Sequence, residues 1–329
     1  MKKTIDYRTS VVILCISILI CLCAIFSMRG QRRFNSTRLA TQLVQKRQED
    51  EFWLNADKSL SWYAMPDLTS LFATDHHAAE TVKSQYFALS EDEETKAFIE
   101  ASIAQSDSWM IQSWYNLAKT VLSWFSYTHT DMNGILQRGS MFVLSTRQFQ
   151  MLLEQSQVEL KDSTMIDLGA GDGKVTQKLA PFFQQIFATE TSKPMQKLLK
   201  SQNIDVLPID TWMNQTYDFI ACLNLLDRCD KPLDLINDMK KSLNHKGLLL
   251  VALVLPFKPF VEAKENFEPT QRLNITSDQT VGQQVLSVVN IFQEFDFELV
   301  KWTRVPYLCE GDTVHSVYYL DDILFLFQI

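Results

Sequence analysis

Apolar and polar positions follow two rhythms along this chain of 329 residues. From Thr164 onward, short apolar runs of strand length recur at 165–168, 186–189, 205–209, 217–223 and 248–255. The last is apolar almost without a break, as a strand buried on both faces should be. Between these runs the spacing becomes helical, for instance over 232–243. The tail adds strand-like runs at 297–302 and 323–327, which suit a closing antiparallel pair. Alternation of this kind predicts an α/β fold, a doubly wound sheet with an antiparallel edge.

Upstream the rhythm is helical and aromatic. Ile111, Trp114, Tyr115, Ala118, Val121, Leu122 and Phe125 repeat at helical spacing, which predicts a core stripe or a face packed on the next domain. Ser90 with Glu93, and Ser145 with Gln148, form capping boxes that open helices, the second running to about Glu154. Asp131 to Gly134 reads as a turn. Trp53, Trp62, Tyr63 and Phe72 make 52–72 too aromatic for disorder, so it is expected to pack onto the body. His76 and His77 are adjacent, which suits a loop better than a helical metal face, and no metal site is expected.

Residues 29–51 are polar and charged and predict a linker. Before them, Lys2, Lys3 and Arg8 precede an uncharged run from Val11 to Phe26, and Arg29, Arg32 and Arg33 follow. This is the pattern of a signal anchor or a cleaved signal peptide within 1–30. It points to the endoplasmic reticulum or another endomembrane, with the mitochondrion as alternative. The expected division is 1–30, a linker over 31–51, a helical N-terminal extension over 52–132 and a main domain over 133–329.

Composition narrows the function. The net charge of -8 argues against nucleic acid as the main partner, since neutralising phosphates requires a basic face; it suits a basic protein or peptide partner or, more simply, a solvated acidic surface. None of the six cysteines forms a C-x-x-C pair, so Cys222, Cys229 and Cys309 are expected as buried thiols. Sequons at Asn35, Asn214 and Asn274 matter only if the body is luminal.

Candidate chemistry centres on MIDLGAGDGK, Met165 to Lys174. An apolar strand ends in Asp167 and runs into Gly169, Gly171 and Gly173, a turn that lets backbone approach a ligand closely. The spacing is neither the dinucleotide G-x-G-x-x-G nor a phosphate loop. It resembles motif I of the class I S-adenosylmethionine-dependent methyltransferases, which implies a Rossmann-like sheet with helices on both faces. Glu190 follows Gly169 by roughly 20 residues at a strand end, the place where an acid accepts from ribose hydroxyls. Asp167 either orders the turn or lies near the cofactor's amino end. Asp210 is open to an adenine contact or to a plain loop acid. Asn224 and Asp227 lie past the fourth strand, where the reacting methyl would sit.

With ATETS, CLNLLDRCD, ALVLPFKPFVE, RVPYLCEGD, YYLDD and the upstream RGSMF, the chain resembles the methyltransferase-like protein 9 (DREV) family from Asn133 to its end. Residues 1–130 match only in general character, and 262–287 departs from the family pattern. The resemblance implies S-adenosylmethionine as cofactor and methylation of the pros ring nitrogen of histidines in His-x-His motifs with a small middle residue. It implies Asp227, Asn224 and Tyr318 as catalytic residues. Asp167, Gly169, Gly171, Glu190, Asn224 and Tyr307 would bind the cofactor. Two roles are open to Tyr307 and Tyr318, walling the histidine pocket or bonding the cofactor.

An imidazole is largely neutral at pH 7, so the enzyme needs no strong base. It needs a carboxylate that accepts from the tele N–H and so leaves the pros lone pair facing the methyl; Asp227 is the candidate. Competing expectations are a small-molecule methyltransferase on the same fold and a membrane-tethered module without catalysis. A nicotinamide dehydrogenase is disfavoured by the glycine spacing.

Overall fold

The computed structural model describes residues 36–55, 62–123, 128–155, 157, 160, 162–262, 264, 266–312 and 314–329. The expected membrane segment and the Asn35 sequon lie outside them. Among the described residues no helix is long and apolar enough to cross a membrane. The chain divides into a unit ending at Glu51 and a unit Phe52–Ile329. The stretch read as a linker is helical from its sixth residue on, as α1 (Ser36–Asn55). Leu, Ala, Gln, Lys, Arg and Glu dominate it and Gly and Pro are absent, a composition that favours helix despite its polarity.

The second unit opens with helices α2 (Thr69–Thr74), α3 (His76–Ser84), α4 (Glu93–Asp107), α5 (Trp109–Ser123) and α6 (His129–Leu136). Strand β1 (Met141–Phe142) and helix α7 (Thr146–Glu154) lead into β2 (Thr164–Leu168), α8 (Lys174–Leu179), β3 (Gln185–Thr189), α9 (Lys193–Ser201) and β4 (Asp205–Leu207). Then come β5 (Tyr217–Leu223), α10 (Pro232–Ser242), β6 (Leu243–Val254), α11 (Val281–Gln293), β7 (Glu298–Glu310) and β8 (Val317–Gln328).

One eight-stranded sheet results, in the order β1-β7-β8-β6-β5-β2-β3-β4. Strands β4, β3, β2, β5 and β6 are parallel; β8 runs antiparallel to β6, and β7 to β8. The expected class I sheet is thus present. Strand alternation sends side chains to two apolar layers. Ile166, Ile220, Leu249, Val251 and Phe325 meet residues of α2, α3, α10 and α11. Met165, Phe219, Leu248, Leu250 and Leu324 meet residues of α4, α7 and α8.

Several local expectations change. The last two strands are far longer than the sequence suggests, and β7 and β8 pair from Glu298–Gln328 to Glu310–Val317. Helix α4 is capped by Asp92, whose side chain accepts from Thr95 N, rather than by Ser90. Ser90 instead gives its carbonyl to Gln148 Nε2. The Ser145–Gln148 box forms as expected. Asp131 to Gly134 belongs to α6, with Thr128 and Asp131 as its capping box. His76 and His77 lie exposed at the start of α3, which Asp75 caps, not in a loop. The aromatic stripe is not core: Trp114 is 53% exposed, and Tyr115 carries the Arg138 guanidinium 4.6 Å above its ring. The side chains of Ile111, Val121 and Phe125 lie outside the described ones.

What binds the helical region to the sheet is Trp302 on β7. It is fully buried, donates Nε1–H to the Val82 carbonyl at 2.6 Å and meets the Tyr86 ring edge-on at 4.8 Å. Trp62 also reaches the sheet, stacking face to face on Tyr319 of β8 at 5.2 Å.

Candidate active site

The strand order reverses between β2 and β5, and the crevice beyond their carboxyl ends is where such sheets take ligands. The glycine turn sits there because Gly169 and Gly171 hold φ of +74° and +58°, a region that side chains disfavour. A Cβ on Gly169 would come to 3.1 Å from Leu225 Cδ1, while one on Gly171 would meet nothing within 4 Å. The turn is packed from below and open above Gly171, as close backbone approach to a cofactor requires.

Glu190 ends β3 beside it. Its Oε2 accepts from Gly171 N at 2.9 Å, and its Oε1 accepts from Ser192 N at 2.8 Å and from the Thr191 hydroxyl at 3.2 Å. The carboxylate therefore ties the turn to the strand end and keeps lone-pair capacity for a ribose hydroxyl. Asp167 is buried at the end of β2 and accepts from the Thr176 hydroxyl at 2.6 Å. Burial, opposed by that bond and reinforced by Glu190, raises it to about 6. It orders the turn by holding α8 to β2. Asp210 is exposed on the loop after β4.

Ser140 adds a tether, donating to Asp172 Oδ2 at 2.7 Å. Next to it, the buried Arg138 guanidinium reaches the Gly311 carbonyl at 3.0 Å and Glu310 at 3.8 Å. The RGSMF segment thus fastens the glycine turn to the end of β7.

The second half of the site is acidic and buried. Asn224, in left-handed backbone at φ +55°, hangs one residue past β5 with its N–H bound to Ala252 O at 3.0 Å. Its Nδ2 donates to Asp322 Oδ2 at 2.8 Å. Asp322 stands on β8 opposite Val254, the last residue of β6, and is fully buried. Asp227 is 4% exposed, with Oδ2 paired to Arg228 Nε at 3.1 Å. One oxygen of each of these three side chains is buried without a partner: Asn224 Oδ1, Asp227 Oδ1 and Asp322 Oδ1. Burial raises Asp227 against the pull of Arg228, and raises Asp322 to about 8 against the Asn224 bond, with Asp227 adding to the rise. Burial likewise pushes the Tyr307 phenol up, and Asp322 and Asp227 act on it in the same direction.

Asn224 and Asp227 are thus brought together, with Tyr307 beside them, and the glycine turn meets Glu190 and Asp167. Tyr318 stands apart: four residues along β8 from Asp322, roughly 13 Å at strand rise, it donates to Asp312 Oδ2 at 2.9 Å. Asp322 was missed. YYLDD shows two adjacent acids, and only pairing separates them: Asp321 meets Arg304 at 2.6 and 2.5 Å, and Asp322 turns inward. A cavity of about 410 Å³ lies elsewhere, between the start of α10 and the 257–277 excursion, lined by Leu226, Pro232, Phe257, Arg272 and Leu273. Of the three thiols expected to be buried, Cys222 is buried while Cys229 and Cys309 are half-buried; loss of solvent pushes all three up.

Glu190 accepts three hydrogen bonds from the glycine turn and the 191–192 segment, and an expected ribose contact at it can be tested. Glu190→Ala should weaken S-adenosylhomocysteine binding by about 10-fold or more, since hydrogen bonds to a charged group are worth ~1.5–3 kcal/mol each. Calorimetry reads this directly; an unchanged affinity removes Glu190 from the cofactor site.

The chain is similar to several solved methyltransferases at low identity. An S-adenosylmethionine-dependent methyltransferase from Clostridium acetobutylicum shares 12% identity over 55% of this chain and 88% of its own, with a TM-score of 0.38. The N-methyltransferase NodS from Bradyrhizobium japonicum, in complex with S-adenosyl-L-homocysteine, shares 13% over 70% and 96%, at 0.34. A putative RNA methyltransferase from Pyrococcus horikoshii shares 12% over 55% and 81%, at 0.39. The family evidence is separate and stronger: the DREV methyltransferase model matches residues 71–329. It takes in every element from Leu71 through the glycine turn, Glu190, the Asn224–Asp227 loop and the β7–β8 hairpin. This chain belongs to the DREV methyltransferase family, and S-adenosylmethionine is its cofactor.

Proposed function

We propose that the protein methylates the pros nitrogen of histidines in polypeptides carrying His-x-His motifs with a small middle residue. The observation that carries this is Asp227 Oδ1, buried and without a partner beside a second orphaned oxygen on Asn224. Buried acceptors are ordinarily satisfied, so the Asp227 oxygen calls for a ligand that brings an N–H and gains positive charge in the reaction. A neutral imidazole does both.

Gly169, Gly171 and Glu190 would hold the cofactor, with Asp167 ordering the turn beneath them. When bound, S-adenosylmethionine supplies an electrophilic methyl on a sulfonium. Asp227 Oδ1 accepts from the tele N–H, which fixes the tautomer with its lone pair on the pros nitrogen. That lone pair forms the new N–CH₃ bond while the S–CH₃ electrons return to sulfur. The ring becomes an imidazolium, and the Asp227 carboxylate, held by Arg228 on its other oxygen, stabilises that charge as it develops. In-line positioning supplies the rest of the rate.

A polypeptide acceptor is supported by the outer half of the β7–β8 hairpin, which runs past the end of β6. There Tyr318 and Leu320, on the face of β8 that Asp322 shares, and Met141, level with Tyr318 across Cys309, are 41%, 42% and 37% exposed, an open apolar strip that leads along β8 towards Asp322. The net charge of -8 suits a basic, histidine-rich chain.

The test is incubation of the protein with labelled cofactor and a His-x-His peptide, with the methyl placed by fragmentation against ring-position standards. Methyl on the pros nitrogen is expected. Methylation of free imidazoles or small amines but not of the peptide would establish a small-molecule enzyme instead. Transfer to the tele nitrogen would overturn the role given to Asp227.

A further inference from the structure

Asn224 has an unusual station. It is a non-glycine residue in left-handed backbone, one position past a strand end, and its side chain has a single partner, Asp322. An amide can be turned either way about its last torsion. In the structure Nδ2 faces Asp322 and donates to its Oδ2 at 2.8 Å, which turns Oδ1 away from Asp322. The consequence is that Oδ1 is the atom of Asn224 left unpartnered, one of three such oxygens in the site. Asp322 itself is fixed by the sheet, with Val254 of β6 on one side and Val305 of β7 on the other.

We propose that Asp322 is the positioning residue of the site: it holds the Asn224 amide with Oδ1 presented to the methyl acceptor, and it acts on the reaction through Asn224. This rests on the methyl-transfer reading of the site but on no particular acceptor.

The groups around Asp322 define its electrostatics. Asp227 and Asp321 oppose its ionisation and Asn224 favours it; Tyr307 and Cys309 face it from β7; Arg304 is occupied by Asp321. Raised from 3.8 to about 8, Asp322 holds a proton in the folded chain that the unfolded chain releases. Stability therefore falls as pH rises through that window.

Two readouts test the proposal. In peptide methylation, kcat should fall in the order wild type, Asp322→Asn, Asp322→Val. The asparagine keeps an acceptor oxygen for Asn224, and the valine loses it at a cost of roughly 10- to 100-fold, the scale of outer-shell supporting residues. Km and S-adenosylhomocysteine affinity should stay at wild-type values. On an Asn224→Ala background Asp322→Val should cost nothing further, since residues acting as one unit are not additive. The second readout needs no substrate. The melting temperature of Asp322→Val should gain on wild type between about pH 4 and about pH 8, and Asn224→Ala should extend the wild-type decline to higher pH but leave Asp322→Val unaffected.

A full rate loss from Asp322→Val on the Asn224→Ala background would overturn the proposal, as would identical melting profiles for all four proteins. If wild type fails to methylate the peptide while the melting cycle shows the coupling, the histidine reading fails and the Asp322–Asn224 assignment stands.

Discussion

Asp227→Asn should lower kcat for methyl transfer by about 10²–10³-fold, the scale of losing a preorganised electrostatic partner or a positioned acid–base group. The change is isosteric, so Arg228 and the Phe260 N–H to Asp227 O bond at 2.7 Å keep the loop in place. Two things are lost. The charge that faces the forming imidazolium disappears. The amide also has to offer either its oxygen to the incoming N–H or its NH₂, and the Arg228 guanidinium at the other position favours the oxygen there. The NH₂ is then turned to the substrate, donor against donor. S-adenosylhomocysteine affinity should be unaffected, because the glycine turn and Glu190 lie on other strands. Single-turnover rates with a histidine peptide, alongside calorimetry, separate the two effects. A variant as fast as wild type would end the tautomer-holding role.

The second large effect concerns the body rather than the site. Trp302→Ala should destabilise the protein by ~3–5 kcal/mol, a large share of the ~5–15 kcal/mol that a folded domain has. The residue is fully buried, and its removal leaves a cavity against Tyr86 and strands the Val82 carbonyl that its indole N–H satisfies. At ~2–4 °C per kcal/mol for a chain of this size the melting temperature should drop by about 10 °C. Trp302→Phe refills most of the space but leaves the carbonyl unmatched, and should cost ~1–3 kcal/mol. Urea unfolding measures both. If the alanine variant lost less than the phenylalanine one, the anchoring of α3 to β7 through this side chain would be wrong.

The glycine turn, Glu190 and the Asn224–Asp227 loop could be read in advance because each lies at a strand end within a few residues of a recognisable local signal. Turn chemistry and strand period are short-range properties, and the chain states them directly. The polar helix α1 was misread because hydropathy was weighed and helix propensity was not. The aromatic stripe of α5 was misread for a different reason: its helical spacing is real, but spacing cannot say whether a partner face exists, and Trp114 has none that buries it.

What the sequence determined by itself is the sheet's parallel half and the place of the glycine turn, since both follow from local pattern: apolar runs of strand length and a glycine-rich bend after an acid. Tertiary structure decided the acidic half of the site. Asp322 and Asn224 are 98 positions apart and meet at 2.8 Å only because β8 folds back antiparallel against β6 and brings Asp322 to the carboxyl ends of the parallel strands. Which of two neighbouring acids turns inward depends on strand register, and register is fixed by packing on both faces of the sheet, not by the acids themselves.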